Sequence, residues 1–298
     1  MKKEKGYDMH CHTDASDGKL PLSELVEIAK EKGLEGFTVT DHDILDASKE
    51  TKYVPDKNRI EVIPGIELSG KINNYLIEVV GYFVNPCNKE IEEACRINQD
   101  FRKARVGKMI YRINERYKGK LEKEITYDEV LSIAKGGSVG LNHLNQVLVE
   151  RGLFKGREAF LICLEKGTPE ECYVERDAVC FENALNAIIS SGGVAGIPHP
   201  AFFPLDYKGE LTDGSFFGLI KGYAGNKIKV IETEYPYNKV RPECGDLSKN
   251  EEFWKAIARE YDLIGVGGSD GHQKPDGPSL GDRRTPKKIV DKIRKLAK

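Results

Sequence analysis

Seven short apolar runs, at 7–11, 36–40, 60–66, 75–84, 193–197, 229–233 and 263–267, punctuate a chain that is otherwise amphipathic, and each has the length of a strand. Between them the hydrophobic period changes from two to 3.6. After Pro21, the residues Leu22, Leu25, Val26, Ile28 and Ala29 recur on one helical face, and Gly33 closes the segment. Helical patterns at 182–190, 251–261 and 286–296 each sit beside a strand. This β-then-α rhythm predicts an α/β domain with a parallel sheet or barrel. The stretch 89–176 departs from it, with helical segments at 89–117, 127–135, 141–150 and 157–166 and no strand. The expected organisation is therefore one α/β domain, 1–88 and 177–298, interrupted by a helical insertion at 89–176.

The chemistry concentrates where the strands end. His10 and His12 are two apart on the first strand, so their side chains share a face and can grip one ion. Asp17 follows five residues later, Asp41-His42-Asp43 close the second strand, and Glu67 stands just past the third. His199 follows the fifth strand, and Asp270 and His272 follow the last. Barrel enzymes carry their catalytic groups at this end. A lone histidine there is more often an ordinary core or surface residue, but five of the six histidines fall at such positions. Imidazole and carboxylate without thiolate suit Zn²⁺, Mn²⁺ or Fe²⁺, and eight or nine donors exceed what one ion takes. Two or three divalent metal ions are expected, with Glu67 as the bridging carboxylate. Asp41 and Asp43 are expected to orient His42 and its loop, Glu232 to act in the same way, and Arg283 to reach the substrate.

Charge and composition narrow the setting. The 298 residues carry 46 Lys+Arg against 48 Asp+Glu, a net charge of −2, which excludes a duplex-coating DNA binder while leaving a local basic groove open. The most apolar stretch, 76–84, is interrupted by Glu78 and falls far short of the roughly 20 residues a bilayer needs. The N-terminal residues lack the apolar core of a signal peptide, and the seven cysteines (11, 87, 95, 163, 172, 180 and 244) form no C-x-x-C pair. Reduced thiols in a cytoplasmic protein are expected. In the basic run 102–120, Met109, Ile110, Ile113 and Tyr117 recur as a buried stripe, so most of the cations form a solvated face.

Five ordered motifs make a specific match. DMHCHTDASDG (8–18), VTDHD (39–43), PGIE (64–67), PHP (198–200) and GGSDGH (267–272) together resemble the PHP (polymerase and histidinol phosphatase) family of metal-dependent phosphoesterases. The resemblance implies a distorted (β/α)7 TIM-like barrel with a trinuclear metal site held by His10, His12, Asp17, His42, Glu67, His199, Asp270 and His272. A ninth position, Glu78, stands where the family usually has histidine. The insertion is similar to the branch that acts on nucleotides: AMP phosphatases, 3′,5′-bisphosphate nucleotidases and a 5′-to-3′ exoribonuclease. By that likeness Arg102, Arg105 and His143 contact the substrate, although Leu141-Asn142 replaces the usual Arg-Pro before His143. The implied reaction is hydrolysis of a phosphate ester of a nucleotide or short oligonucleotide by metal-activated hydroxide. Glu67 and Asp270 would hold the catalytic ions, and His143 would contact the phosphate or protonate the leaving group. The expected partner is a small phosphorylated substrate or short single-stranded RNA, with no membrane. The competing readings are a small-molecule phosphatase of the histidinol phosphatase type, a non-catalytic metal-binding barrel and a hydrolase of C–N bonds.

Overall fold

The computed structural model describes residues 5–53, 60–72, 75–202, 222–240, 250–275 and 277–298. Strands form where the apolar runs lie: β1 (Tyr7–Cys11), β2 (Gly36–Val39), β3 (Glu61–Ile72), β4 (Tyr75–Tyr82), β5 (Val194–Ile197), β6 (Ile228–Glu234) and β7 (Ile264–Gly267). They pair in chain order as one sheet. The sheet curls, because its two ends approach one another: Cys11 bridges Gly271, and the His12 amide donates to the Gly271 carbonyl at 3.1 Å.

Pairing is parallel from β1 to β3 and again from β5 to β7, but β4 runs antiparallel to both neighbours. The expected β-then-α rhythm of a parallel sheet or barrel is broken at the β3–β4 connection. Two residues separate Ile72 from Tyr75. A parallel return needs a crossover of a dozen residues or more, so this link admits only a hairpin. The hairpin also gives residues 67–72 a partner, which extends β3 beyond the expected 60–66. Glu67 consequently lies inside the strand and not past its end.

Helices flank the sheet. α1 (Leu22–Glu31) buries Leu22, Leu25, Val26 and Ala29, and Gly33 supplies the positive φ of +66° that ends it. The short α2 (Asp46–Glu50) follows β2, and α3 (Lys89–Arg116), started by the Asn88 side chain accepting from the Glu90 and Ile91 amides, follows β4. The first half of α3 packs Ile91, Ala94 and Cys95 into the same core as Ile66, Leu68, Phe181 and Ile188. Its second half turns Val106, Met109, Ile110 and Ile113 into a separate core. That second core is shared with α4 (Tyr127–Ile133), α5 (Leu141–Glu150) and a π-helical turn at Phe160–Leu164. α6 (Phe181–Ser190), the short α7 (Tyr237–Val240), α8 (Asn250–Glu260) and α9 (Lys287–Arg294) follow, with 3-10 turns at Thr51–Tyr53 and Pro200–Phe202. None of these is long and apolar enough to cross a membrane. The six described cysteines are free thiols, and Cys244 lies outside the described residues.

Candidate metal centre

Nine side chains from seven segments converge at one end of the sheet. His10 and His12 leave the same face of β1, as their spacing requires, and their Nε2 atoms are 3.1 Å apart. Asp270 Oδ1 lies 3.0 Å from His12 Nε2 and 3.5 Å from His10 Nε2. Glu67 is the centre of the arrangement. Its Oε2 is 3.0 Å from His42 Nδ1, 3.4 Å from His12 Nε2 and 3.5 Å from His10 Nε2, and its Oε1 is 2.9 Å from His199 Nε2. On one side Asp17 Oδ1 meets His272 Nε2 at 2.8 Å; on the other, Glu78 lies 3.5 Å from His42 and 3.6 Å from His199. Three overlapping groups have donor atoms within 4.8 Å of one another: His12, Asp17, His42 and His272; His10, His12 and Glu67; His42, Glu67 and Glu78.

The proton arrangement shows what these donors are built to hold. His272 Nδ1 lies 2.8 Å from the backbone oxygen of Asp270, which can only accept, so Nδ1 carries the proton of the neutral ring and the Nε2 lone pair faces the Asp17 carboxylate. His10 Nδ1 is likewise 2.8 Å from Glu232, which leaves its Nε2 lone pair aimed at His12. Lone pairs and carboxylates at these distances repel unless a proton or a cation lies among them. Asp17 Oδ1, His42 Nδ1 and Glu67 Oε2 are buried and make no hydrogen bond, although the last two are close, because their approach is not aligned as one. The donor set therefore fits divalent cations, by hardness as well as by geometry.

Without metal, protons must take over that role. Burial disfavours charge on His42 and His199, but Glu67 and Glu78 outweigh it and lift each imidazole to about 9. His12, buried beside His272 and His42, falls to about 3. For His42 and His199 the folded value lies above the unfolded value of about 6.5, so their contribution to stability is complete below pH 6.5 and disappears as pH rises through 9. The metal-free protein is expected to lose melting temperature between pH 6.5 and 9, whereas Zn²⁺ or Mn²⁺ should stabilise increasingly over that window. Thermal melts with and without chelator would check this, and a flat metal-free profile would contradict it.

Buried groups behind the donors hold them in place. Glu232 accepts the His199 amide at 2.6 Å as well as binding His10, and it is fully buried. Gly268 is required for that approach, since a Cβ there would stand 2.1 Å from Glu232 Oε1. Asp41 takes Thr13 and Ser16, at 2.7 and 2.5 Å, and so fixes the loop that carries Asp17. Asp43 serves a purpose other than the expected orientation of His42. Its carboxylate accepts from Arg102 at 2.6 Å, Arg176 at 3.1 Å, Asn98 at 2.8 Å and the Ser69 amide at 2.7 Å, joining α3 to the sheet. Asp43, His199 and Asp270 all hold positive φ, a strained geometry for side-chain-bearing residues that recurs at functional sites.

The sequence reading missed Arg176, Asn98, Asp8 and Tyr235. Tyr235 donates to Asp270 Oδ2 at 2.5 Å and turns Oδ1 toward the histidines, and its place just after β6 obeys the same strand-end rule as the other site residues. Asp8 takes the Ser269 and Gly281 amides at 2.9 and 2.6 Å, clamping the Asp270 loop to β1. Arg176 and Asn98 carry no local signal.

The expected substrate contacts lie elsewhere than in the cleft over the donors. Arg102 is buried against Asp43. Arg105 donates to the Val174 carbonyl at 2.7 Å and covers the Tyr173 ring, and Arg283 pairs with Glu251 at 2.9 Å. His143 accepts the Gly140 amide on Nδ1 at 3.0 Å and so caps α5, lining a cavity of about 200 Å³ beside Asp17 and Lys19. The larger cleft, about 1070 Å³, is lined by seven of the nine donors, all but the fully buried His10 and His12. Its walls come from α5 (Asn142, Gln146), the π-helical region (Arg157, Phe160) and three lysines, Lys19, Lys239 and Lys274.

Comparison with known proteins agrees with this geometry. A sequence profile of the PHP domain matches residues 8–175. A 5′-3′ exoribonuclease of Haemophilus influenzae is 26% identical over 272 residues, covering 90% of this chain and 90% of the relative. A 3′,5′-nucleoside bisphosphate phosphatase of Chromobacterium violaceum is 23% identical over 200 residues, 66% of this chain and 68% of the relative. In fold, the chain is similar to a Bifidobacterium adolescentis protein named as a metal-dependent phosphoesterase, with a TM-score of 0.82 and 24% identity over 99% of this chain and 98% of the other.

Proposed function

Because the chain belongs to the PHP domain family, we propose that it is a metal-dependent phosphoesterase that hydrolyses a phosphate ester of a nucleotide or short oligonucleotide. The observation that carries this reading is the convergence of Asp17, His42, Glu67, Glu78, His199, Asp270 and His272 on one cleft whose rim is cationic, with His10 and His12 buried against Glu67 and Asp270. Divalent ions held there supply a nucleophile from water at neutral pH and offset charge on the phosphoryl oxygens. Glu67, within reach of four imidazoles, is the shared ligand, and Asp270 is held in register by Tyr235 and Asp8.

Substrate recognition falls to the rim. Lys19 reaches Gln146 of α5 at 2.9 Å, and Lys274 lies 3.4 Å from Asp17 Oδ2. The two loops are joined by the Lys19 amide donating to the His272 carbonyl, so both ammonium groups border the place where a polyanion must enter. Phe160 and Phe202 offer apolar surface to the cleft, Phe202 with its ring 5.6 Å from that of His199. Burial lowers the His143 pKa, and with Nδ1 accepting from Gly140 the neutral ring keeps its proton on Nε2. His143 therefore acts as a hydrogen-bond donor and not as a proton source. The insertion at 89–176, with a core of its own and α5 in the cleft wall, covers the active site of a barrel formed by 1–88 and 177–298.

Purified protein supplied with Mn²⁺ or Zn²⁺ should release phosphate from AMP, a nucleoside 3′,5′-bisphosphate or a 5′-phosphorylated oligoribonucleotide, and chelation should abolish the release. Turnover of histidinol phosphate with none of the nucleotides would overturn the substrate class. Stoichiometric metal without hydrolysis of any phosphate ester, a generic aryl phosphate included, would overturn the activity.

A further inference from the structure

The three donor groups differ in chemical hardness. His12, Asp17, His42 and His272 present three imidazole nitrogens and one carboxylate oxygen, whereas Glu67, Glu78 and His42 present two carboxylates and one imidazole. His42 faces both groups, with Nε2 3.8 Å from Asp17 and Nδ1 3.0 Å from Glu67. A neutral imidazole has one lone pair, so it serves one group at a time. If His42 joins Asp17 and His272, the other corner keeps Glu67, Glu78 and His199, whose Nε2 is 2.9 Å from Glu67 and 3.6 Å from Glu78. The balance there remains two carboxylates to one imidazole. Oxygen-rich sets suit Mn²⁺ and Mg²⁺, and imidazole-rich sets suit Zn²⁺ and Fe²⁺.

Glu78 also differs from the other eight donors in position. Its side chain is 26% exposed, more than that of His42 at 18% or Asp270 at 13%. Its two oxygens face different imidazoles, Oε1 toward His42 and Oε2 toward His199. An ion in this corner meets the open cleft, and hard divalent ions characteristically retain water ligands.

We propose that Glu78 makes its corner of the centre a hard-ion position, so that the protein discriminates less against Mn²⁺ relative to Zn²⁺ there than in the imidazole-rich corner at His12, Asp17, His42 and His272. The centre is then a mixed one by design of its ligands. This inference rests on the reading that the nine donors hold divalent ions, and it adds which ion goes where.

The test is metal binding without substrate. Metal-stripped full-length protein is titrated with Mn²⁺ by electron paramagnetic resonance and then back-titrated with Zn²⁺, and bound metal is counted after gel filtration. The wild type should show one Mn²⁺ position with markedly smaller zinc preference than the rest. Glu78→His should shift that position toward zinc by about tenfold or more, and Glu78→Gln should weaken Mn²⁺ there by about tenfold. Zinc retained at the imidazole-rich positions of both variants reports that the fold is intact. Equal discrimination at every wild-type position, or Mn²⁺ affinity unchanged in both variants, would overturn the proposal. The hydrolase reading is judged separately, because phosphate release that persists without any shift in metal preference sinks only this inference, and a shift in a protein that hydrolyses nothing sinks only the other.

Discussion

Glu67→Gln is expected to reduce phosphate release by about 10³-fold, roughly 4 kcal/mol at the barrier. The substitution keeps size and shape but removes the charge that four imidazoles surround. Glu67 is fully buried, and its two oxygens face His199 on one side and His10, His12 and His42 on the other. A neutral amide presents one oxygen and one NH₂ donor group, which points hydrogens at nitrogens meant to face a cation. Metal content per chain should therefore fall together with kcat, while KM for the residual activity changes little. Circular dichroism and metal analysis alongside kinetics would separate this from unfolding. A folded Glu67→Gln protein that keeps more than about a tenth of wild-type kcat would remove Glu67 from the centre of the mechanism.

The second large effect concerns stability. Asp43→Ala should lower the unfolding free energy by about 3–5 kcal/mol, the usual cost of removing one partner of a buried ion pair. Arg102 and Arg176 are both buried, and without Asp43 their charges face each other uncompensated. The Ser69 amide and Asn98 side chain lose their acceptor at the same time. Asp43 also holds a φ of +53°, which alanine tolerates poorly and asparagine better. Asp43→Asn is thus the informative companion, because it keeps the backbone conformation and one acceptor oxygen while losing the charge and the hydrogen bonds of the other oxygen. Urea titration of both variants gives the two costs, and a loss below about 1 kcal/mol for Asp43→Ala would show that the arginines find other partners. The arginines hold the Asp43 carboxyl well below the ordinary carboxylate range against the cost of burial, so its stabilisation is present above pH 4 and is lost as pH falls further.

Local chemistry made much of the site legible. His10 and His12 share a face because a strand has a period of two, and that requires no tertiary information. The motif at 267–272 places Asp270 and His272 after an apolar run for an equally local reason. Tyr235 obeys the same strand-end rule, since it stands just after β6. The roles of the arginines were not legible. Arg102 and Arg176 are 59 and 133 residues from Asp43, and a cation on a helix has the same local pattern whether it meets substrate, solvent or a buried carboxylate. His143 shows the same limit, because a histidine at the third position of a helix can cap it or face a ligand, and only the Gly140 amide decides.

By itself, then, the sequence determined where the seven strands run and that histidines and carboxylates gather at their ends, since these follow from hydrophobic period and from the spacing of residues along single elements; Glu78 came into view only through the family resemblance. The tertiary structure decided the rest. The antiparallel β4 brings Ser69 opposite Glu78 and so turns an isolated glutamate into a neighbour of Glu67, His42 and His199. It also committed Arg102 to Asp43 and left Lys19 and Lys274 at the mouth of the cleft. The physical reason is that a ligand's identity is written in one residue, whereas its partner, its proton and its hardness relative to its neighbours depend on groups brought together only by the fold.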